Sequence, residues 1–140
     1  MAEPLNVDER LVDLIRAVLE GSTEPLKQYH PKVAKALACL ADHFQEKITL
    51  QGLAAQAYVS RSHLGRLFRE EMGVSPMRFL TLLRVEKSKL MLADRWCSVT
   101  DACEASGFPD SRALERAFKN WVGCTPMEYR KKALRQPKRS

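Results

Sequence analysis

The feature that most constrains this chain is an internal repeat. The segment from Leu64 to Met77 reappears as the segment from Leu114 to Met127, and the matched residues lie 50 positions apart. Upstream of this segment the offset is 49, because Thr49 matches Ser98. One extra residue, which we assign to Pro109, therefore lies in the second copy. Repetition of this kind indicates one supersecondary unit used twice.

Each copy carries the same helix start and stop signals. A hydroxyl residue is placed to cap a first short helix, and a turn follows at residues 57–59 or 107–109. A second capping residue then starts a longer helix, which ends at a glycine. The capping residues are Thr49, Ser60, Ser98 and Asp110, and the glycines are Gly73 and Gly123. A short helix, a tight turn and a longer helix form the helix-turn-helix pattern.

Apolar periodicity predicts helix almost throughout, so the expected fold class is all-α. An amphipathic helix ends at Gly21, another follows Pro31, and a third runs without Gly or Pro from Pro76 to about Asp94. The predicted organisation is an N-terminal helix and linker (1–30), a first helix-turn-helix subdomain (31–75), a linker helix (76–94), a second subdomain (95–134) and a basic tail (135–140).

Charge is unevenly spread along the chain. Residues 1–30 hold three Lys/Arg against six acidic residues, whereas the remainder holds 20 against 11. This asymmetry suggests an anionic partner, of which nucleic acid is the commonest. The last cations are either a phosphate-binding extension or a solubilising end: Lys131, Lys132, Arg135, Lys138 and Arg139.

Two polar stripes on the longer helices are the candidate DNA-contacting residues. In the first copy, one helix face carries Ser62, Gly65, Arg66 and Arg69, and in the second copy it carries Arg112, Glu115, Arg116 and Lys119. Arginine can bridge guanine O6 and N7, and glutamate can accept from cytosine N4. The alternative is a solvated surface, but an arginine at the same place in both copies favours DNA contact. The neighbouring candidates are Arg61, His63, Ser111 and Ala113.

The sequence contains no pattern typical of a metal site or of a catalytic site. The three histidines have no metal-ligand spacing, and we expect no cofactor. No phosphate loop, nucleophile elbow or clustered acid pair is present, so we do not expect an enzyme. We interpret the cysteines as small buried residues, with a thiol sensor as the alternative: Cys39, Cys97, Cys103 and Cys124. The acidic start and the absence of a long apolar run predict a cytoplasmic protein.

Residues 32–132 resemble the DNA-binding domain of the AraC/XylS family of bacterial transcription regulators. The most specific stretch runs from Gly107-Phe108-x-Asp110 through Arg116-x-Phe118-Lys119 and Gly123-x-Thr125-Pro126 to Tyr129-Arg130. The first copy adds Leu53-Ala54, Ser60, Leu64, Arg66, Phe68 and Gly73, with Arg84 in the linker helix.

The resemblance implies two recognition helices, residues 60–72 and 110–122, that bind adjacent major grooves near promoters. It also implies activation of transcription through RNA polymerase. Three residues depart from the family pattern. Tyr58 replaces a usual glycine, which predicts a strained turn. Gly65 replaces a usual polar residue, so we expect the first unit to contact fewer bases, and Leu114 replaces a common aromatic residue.

Three questions stay open at the level of the sequence. The chain is either a short regulator or the C-terminal part of a longer one. The alternative function is a helical protein-interaction module that has lost DNA binding. The apolar face of residues 7–20 requires cover, either by packing on the domain or by self-association with a second copy. We place this helix outside the DNA-binding core.

Overall fold

A computed structural model describes residues 9–135 of this chain. The first residues of the predicted helix 7–20, and Lys138 and Arg139 of the predicted tail, lie outside the described residues. Within 9–135 the secondary structure is helical and contains no strand, which confirms the all-α prediction. The helices are α1 (Glu9–Leu19), a 3-10 helix (Glu24–Gln28), α2 (Pro31–His43), α3 (Leu50–Gln56), α4 (Arg61–Met72), α5 (Pro76–Leu92), α6 (Val99–Ser106), α7 (Ser111–Trp121) and α8 (Pro126–Arg135).

The predicted helix caps are confirmed in both copies. The Ser60 hydroxyl accepts from the His63 N–H at 3.1 Å, and the Asp110 carboxylate accepts from the Ala113 N–H at 2.8 Å. Thr49 caps α3 by accepting from the Gly52 N–H at 3.0 Å. These side chains satisfy N–H groups that have no partner inside the helix, and each such cap contributes about 1 kcal/mol. The caps therefore fix where α3, α4 and α7 begin.

Two capping boxes start α6 and α8. The Ser98 hydroxyl accepts from the Asp101 N–H at 2.9 Å, and Asp101 accepts from the Ser98 N–H at 3.2 Å. Thr125 and Glu128 make the same reciprocal pair at 3.1 and 3.2 Å. The hydrogen bonds from Thr125 lower the pKa of the Glu128 carboxyl. Glu128 is thereby held in the charged form that suits a helix N-terminus.

The turn between the two helices of each copy contains a left-handed residue. Tyr58 has φ +58° and Gly107 has φ +89°, and the two lie 49 positions apart. The next residue in each copy donates its N–H to a carbonyl five residues back, from Val59 to Ala54 and from Phe108 to Cys103. Pro109 then follows before the cap, with no counterpart in the first copy. The position of the extra residue and the strained turn at Tyr58 are both confirmed.

The described chain divides into two compact units, residues 9–83 and 84–135. In the first unit α2 packs against α3 and α4. The rings of Phe68 on α4 and Phe79 on α5 meet edge to face, with centroids 5.6 Å apart. The Glu71 carboxylate at the end of α4 accepts the His30 N–H at 3.0 Å, which joins α4 to the start of α2. The buried side chains include Val33, Leu37, Leu40, Leu53, Leu64, Phe68, Phe79 and Leu83.

Helix α1 packs on the domain, which is one of the two alternatives that the sequence leaves open, and its place outside the DNA-binding core stays a prediction. Its apolar face, spaced i, i+3, i+4 and i+7, is buried within the first unit: Leu11, Leu14, Ile15 and Val18. Ile15 is 0% exposed. Packing on the domain therefore covers this face, and the surface that self-association through residues 7–20 would use is already occupied. Local periodicity identifies the face, but the surface that covers it is formed by distant parts of the chain.

The core of the second unit forms around α7. Phe118 on α7 and Tyr129 on α8 meet edge to face at 5.7 Å, 50 positions after the aromatic pair of the first unit. Lys89 on α5 lies 5.7 Å from the centre of the Tyr129 ring. The core consists of Val85, Leu92, Cys97, Ala102, Cys103, Phe108, Leu114, Ala117 and Phe118.

Arg130 on α8 binds the end of α5 and the loop that follows it. Its guanidinium donates to the carbonyls of Leu92 at 3.1 Å and Asp94 at 3.2 Å, and also to that of Cys97. The last carbonyls of a helix have no partner within it, so a cation placed there satisfies them and favours the helix dipole. Arg130 thus fixes the path of the chain from α5 into α6.

Helix α5 contributes to both units, because the division falls between Leu83 and Arg84. Phe79 and Leu83 are buried in the first unit, while Val85 and Leu92 belong to the core of the second. The predicted linker helix is therefore a structural part of each unit. No helix among residues 9–135 is long and apolar enough to span a bilayer.

We predict that Ile15→Ala lowers the free energy of unfolding by about 3 kcal/mol, because it leaves a cavity in a packed core. The matched control is Asp13→Ala on the exposed side of α1, which should change it by less than about 0.5 kcal/mol. Urea denaturation followed by circular dichroism measures both values. Equal and small effects would mean that α1 contributes nothing to the stability of the first unit.

We predict that Arg130→Ala lowers the free energy of unfolding by about 2 kcal/mol, since three carbonyls lose a charged donor. Lys131→Ala removes the same charge from an exposed position on α8 and should cost less than about 0.5 kcal/mol. Thermal melts of the two variants give the comparison. Equal losses would assign the effect to charge, not to the carbonyl contacts.

Candidate nucleic-acid interface

The candidate residues of the first unit lie on the outward side of α4. Leu64 and Phe68 are fully buried on the inner side and fix the rotation of the helix about its axis. Ser62, Arg66 and Arg69 are consequently exposed, and Gly65 is half-buried between them. All four residues of the predicted stripe line one groove of about 730 Å³. The structure thus brings together the four residues that the sequence grouped.

The same groove includes residues that the helical stripe does not contain. Leu50 begins α3, Met77 lies in the first turn of α5, and Glu70 is on α4. Periodicity within one helix cannot find side chains supplied by its neighbours. Arg61 and His63 are exposed on α4, but they do not line this groove.

The candidate residues of the second unit lie on the outward side of α7. Leu114 and Phe118 are fully buried, and the opposite stripe is exposed: Arg112, Glu115, Arg116 and Lys119. Ser111 is exposed at the start of the helix. Ala113 is half-buried and packs against the core of the second unit, so its role is at least partly structural.

The arginines of both stripes are available to an external anion. Within residues 9–135 the ion pairs Lys27–Glu24, His43–Glu46 and Lys89–Glu86 all lie away from the two stripes. An exposed guanidinium presents its N–H donors in a planar fork that suits phosphate oxygens and the guanine edge. The arrangement can therefore bind an anionic or acceptor-rich surface.

Tyr58 also brings an exposed aromatic ring to the turn, which its counterpart Gly107 lacks. Its side chain is 78% exposed, in the turn before α4. The ammonium groups of Lys32 and Lys35 on α2 lie 5.7 and 5.3 Å from the centre of its ring. A cation over an aromatic face is stabilised by about 0.5–1 kcal/mol at an exposed site. These contacts offset part of the cost of the left-handed conformation.

The cysteines have the properties of structural residues. All four are free thiols, with Cys97 and Cys103 buried and Cys39 and Cys124 partly buried. Burial raises the pKa of each of these thiols. Reactive cysteines have a lowered pKa and an accessible thiolate, so this environment favours an inert role over a thiol sensor.

The histidines within residues 9–135 are not part of a metal site. Within residues 9–135 no group of three His, Cys, Asp or Glu side chains is placed to hold a metal ion. The His43 ring instead lies 2.6 Å from the Glu46 carboxylate, and that hydrogen bond raises the pKa of His43. His30 caps α2 by accepting from the Lys32 N–H at 3.1 Å.

The comparisons with known proteins point to one family. A family model described as a helix-turn-helix domain matches residues 53–132. The chain is 28% identical over 113 residues to the Msm operon regulatory protein of Streptococcus mutans, covering 81% of this chain and 40% of that one. It is 29% identical over 103 residues to the RCS-specific HTH-type transcriptional activator RclR of Escherichia coli, covering 74% of this chain and 36% of that one.

A solved structure supports the same conclusion. The DNA-binding domain of AdpA, a global transcriptional factor, was solved in complex with a target DNA. It is 30% identical to this chain with a TM-score of 0.69, and the match covers 74% of this chain and 93% of that domain. By contrast, the chain spans about two fifths of the length of the two curated relatives.

Proposed function

The chain belongs to the AraC-type family of helix-turn-helix transcription regulators, and on that basis we propose that it binds two adjacent major-groove boxes through α4 and α7. In this proposal Arg66 and Arg116 contact base edges. The observation that carries it is the pair of exposed stripes, each opposite a buried apolar side of its helix. Helix-turn-helix proteins place the N-terminal part of the second helix in the major groove.

Within each stripe we assign different roles to different side chains. Arg66 and Arg116 occupy the same position in the two copies and present a fork that fits guanine O6 and N7. Glu115 in the second unit can accept from cytosine N4. Further base or phosphate contacts come from the other polar residues of the two helices: Arg61, Ser62, His63, Arg69, Ser111, Arg112 and Lys119. Ala113 is half-buried and its backbone N–H is bound to the Asp110 carboxylate, so it can contribute only a small apolar surface.

We further propose that the protein binds near promoters and activates transcription through RNA polymerase. One relative, RclR of Escherichia coli, is named a transcriptional activator. Activation is therefore the favoured direction, and a reporter assay with the bound promoter tests it.

We predict an asymmetric DNA site for this protein. The two stripes differ at three of their four matched positions, Ser62/Arg112, Gly65/Glu115 and Arg69/Lys119. Arg66→Ala and Arg116→Ala should each cost about 1–3 kcal/mol of binding free energy and relax base preference in one box only. Selection of sites from random DNA by wild type and both variants measures this.

The matched control is Arg95→Ala, which removes an exposed arginine that lies on neither stripe. It should leave the preferred sequence unchanged. A palindromic consensus, or variants that weaken all sequences uniformly, would mean that the stripe arginines bind phosphates. No binding to any duplex would instead favour the protein-interaction module.

We predict a steep dependence of DNA affinity on salt. If six to ten phosphates are neutralised, affinity should fall by roughly 10³–10⁵ between 50 and 200 mM salt, because bound counterions are released. Fluorescence anisotropy with a labelled duplex gives the slope. A flat profile would contradict phosphate-based binding.

A further inference from the structure

Gly65 is an unfavourable residue at its position in α4. It lies inside the helix, four residues after its first residue and seven before its last. Glycine destabilises a helix interior relative to alanine, because it loses more conformational freedom on folding. A glycine retained there needs a reason, either inside the fold or outside it.

The fold itself supplies no such reason. Gly65 does not have the positive φ that makes glycine necessary at Gly73 or Gly107. Apart from the adjacent residues and the backbone of α4 itself, no heavy atom lies within 4 Å of the place that a Cβ atom of residue 65 would occupy, so no packing neighbour requires its absence. Alanine would therefore fit without strain and would strengthen the helix.

The open space beside Gly65 faces the groove and not the core. Gly65 lines that groove together with Arg66 and Arg69, which bring positive charge, and with Ser62. Leu50 and Met77 are half-buried and add apolar surface to the same groove. A group that enters this groove beside Gly65 thus meets a bare helix backbone, apolar side chains, two arginines and the Glu70 carboxylate.

We propose that Gly65 makes room for the C5-methyl group of a thymine in the box contacted by α4. This inference rests on the proposed function and deepens it. In the major groove the thymine methyl is the apolar group on a base edge, and it is recognised by apolar contact. The missing side chain removes a hydrogen-bonding group but lets the helix approach this methyl. Arg66, on the same face, contacts the neighbouring base pair.

The test begins with the duplex that wild-type protein selects from random DNA. Each thymine in the box assigned to Arg66 is replaced singly by deoxyuridine, which lacks only the methyl group. We expect one replacement to weaken wild-type binding about fourfold, the effect of burying one methyl group. If no replacement weakens binding, the proposal is wrong.

The second arm uses Gly65→Ala and Gly65→Leu. Gly65→Ala should raise the melting temperature by a few degrees, since the helix gains stability without a clash. It should nevertheless weaken binding to the selected duplex by roughly five- to a hundredfold, the range of a single mismatched base pair. Gly65→Leu should lose the preference for thymine and bind the deoxyuridine duplex at least as tightly as the thymine duplex, because its side chain fills the space of the methyl.

Asp13→Ala is the control, because it places alanine at an exposed position of another helix in the same unit, away from the groove. Its change of charge should affect all sequences alike and leave the thymine preference intact. If Gly65→Ala binds as tightly as wild type while Arg66→Ala still relaxes its box, this inference is overturned and the proposed function stands. If wild type selects no sequence, both are overturned.

Discussion

The arrangement depends on one interaction that occurs twice, the edge-to-face contact between an aromatic ring on the second helix of each motif and a ring on the helix that follows. Phe68 meets Phe79 at 5.6 Å, and Phe118 meets Tyr129 at 5.7 Å. Such a pair contributes about 0.5–1.5 kcal/mol beyond the burial of its surface. Its larger consequence is geometric. With one side of α4 or α7 held against the core, the polar stripe on the other side has only one direction to face.

The local features of this fold could be predicted from the sequence because each depends on residues close together in the chain. The caps at Thr49, Ser60 and Asp110, the turn at Tyr58 and the extra Pro109 all involve contacts over a few residues. The choice between the two ways of covering α1, and the division within α5, could not be predicted, because both depend on surfaces that distant segments form together. The candidate site divides in the same way: periodicity predicted the stripe on α4, whereas Leu50 and Met77 joined the groove from other helices.

The two copies show which residues the fold requires and which it leaves free. The caps, the left-handed turn position and the aromatic pair occur in both, and each has a contact that explains it. The stripes differ at most positions, because an exposed side chain has few neighbours to satisfy. Specificity can therefore change on this framework with little effect on stability. Arg130 has no equivalent in the first copy, where Leu80 stands at the matching position and is buried.

The two copies also treat glycine in opposite ways. The second copy has Gly107 where the backbone is left-handed and Glu115 inside the helix, so both residues suit their local conformation. The first copy has Tyr58 in the left-handed position and Gly65 inside the helix, so both residues are unfavourable for their local conformation. Natural sequences are minimally frustrated as a rule, and the exceptions concentrate at functional sites. At these two pairs of positions, the locally unfavourable residues both belong to the first copy. The second copy therefore shows which residues the fold favours at these positions. A departure from it in the first copy indicates a functional requirement.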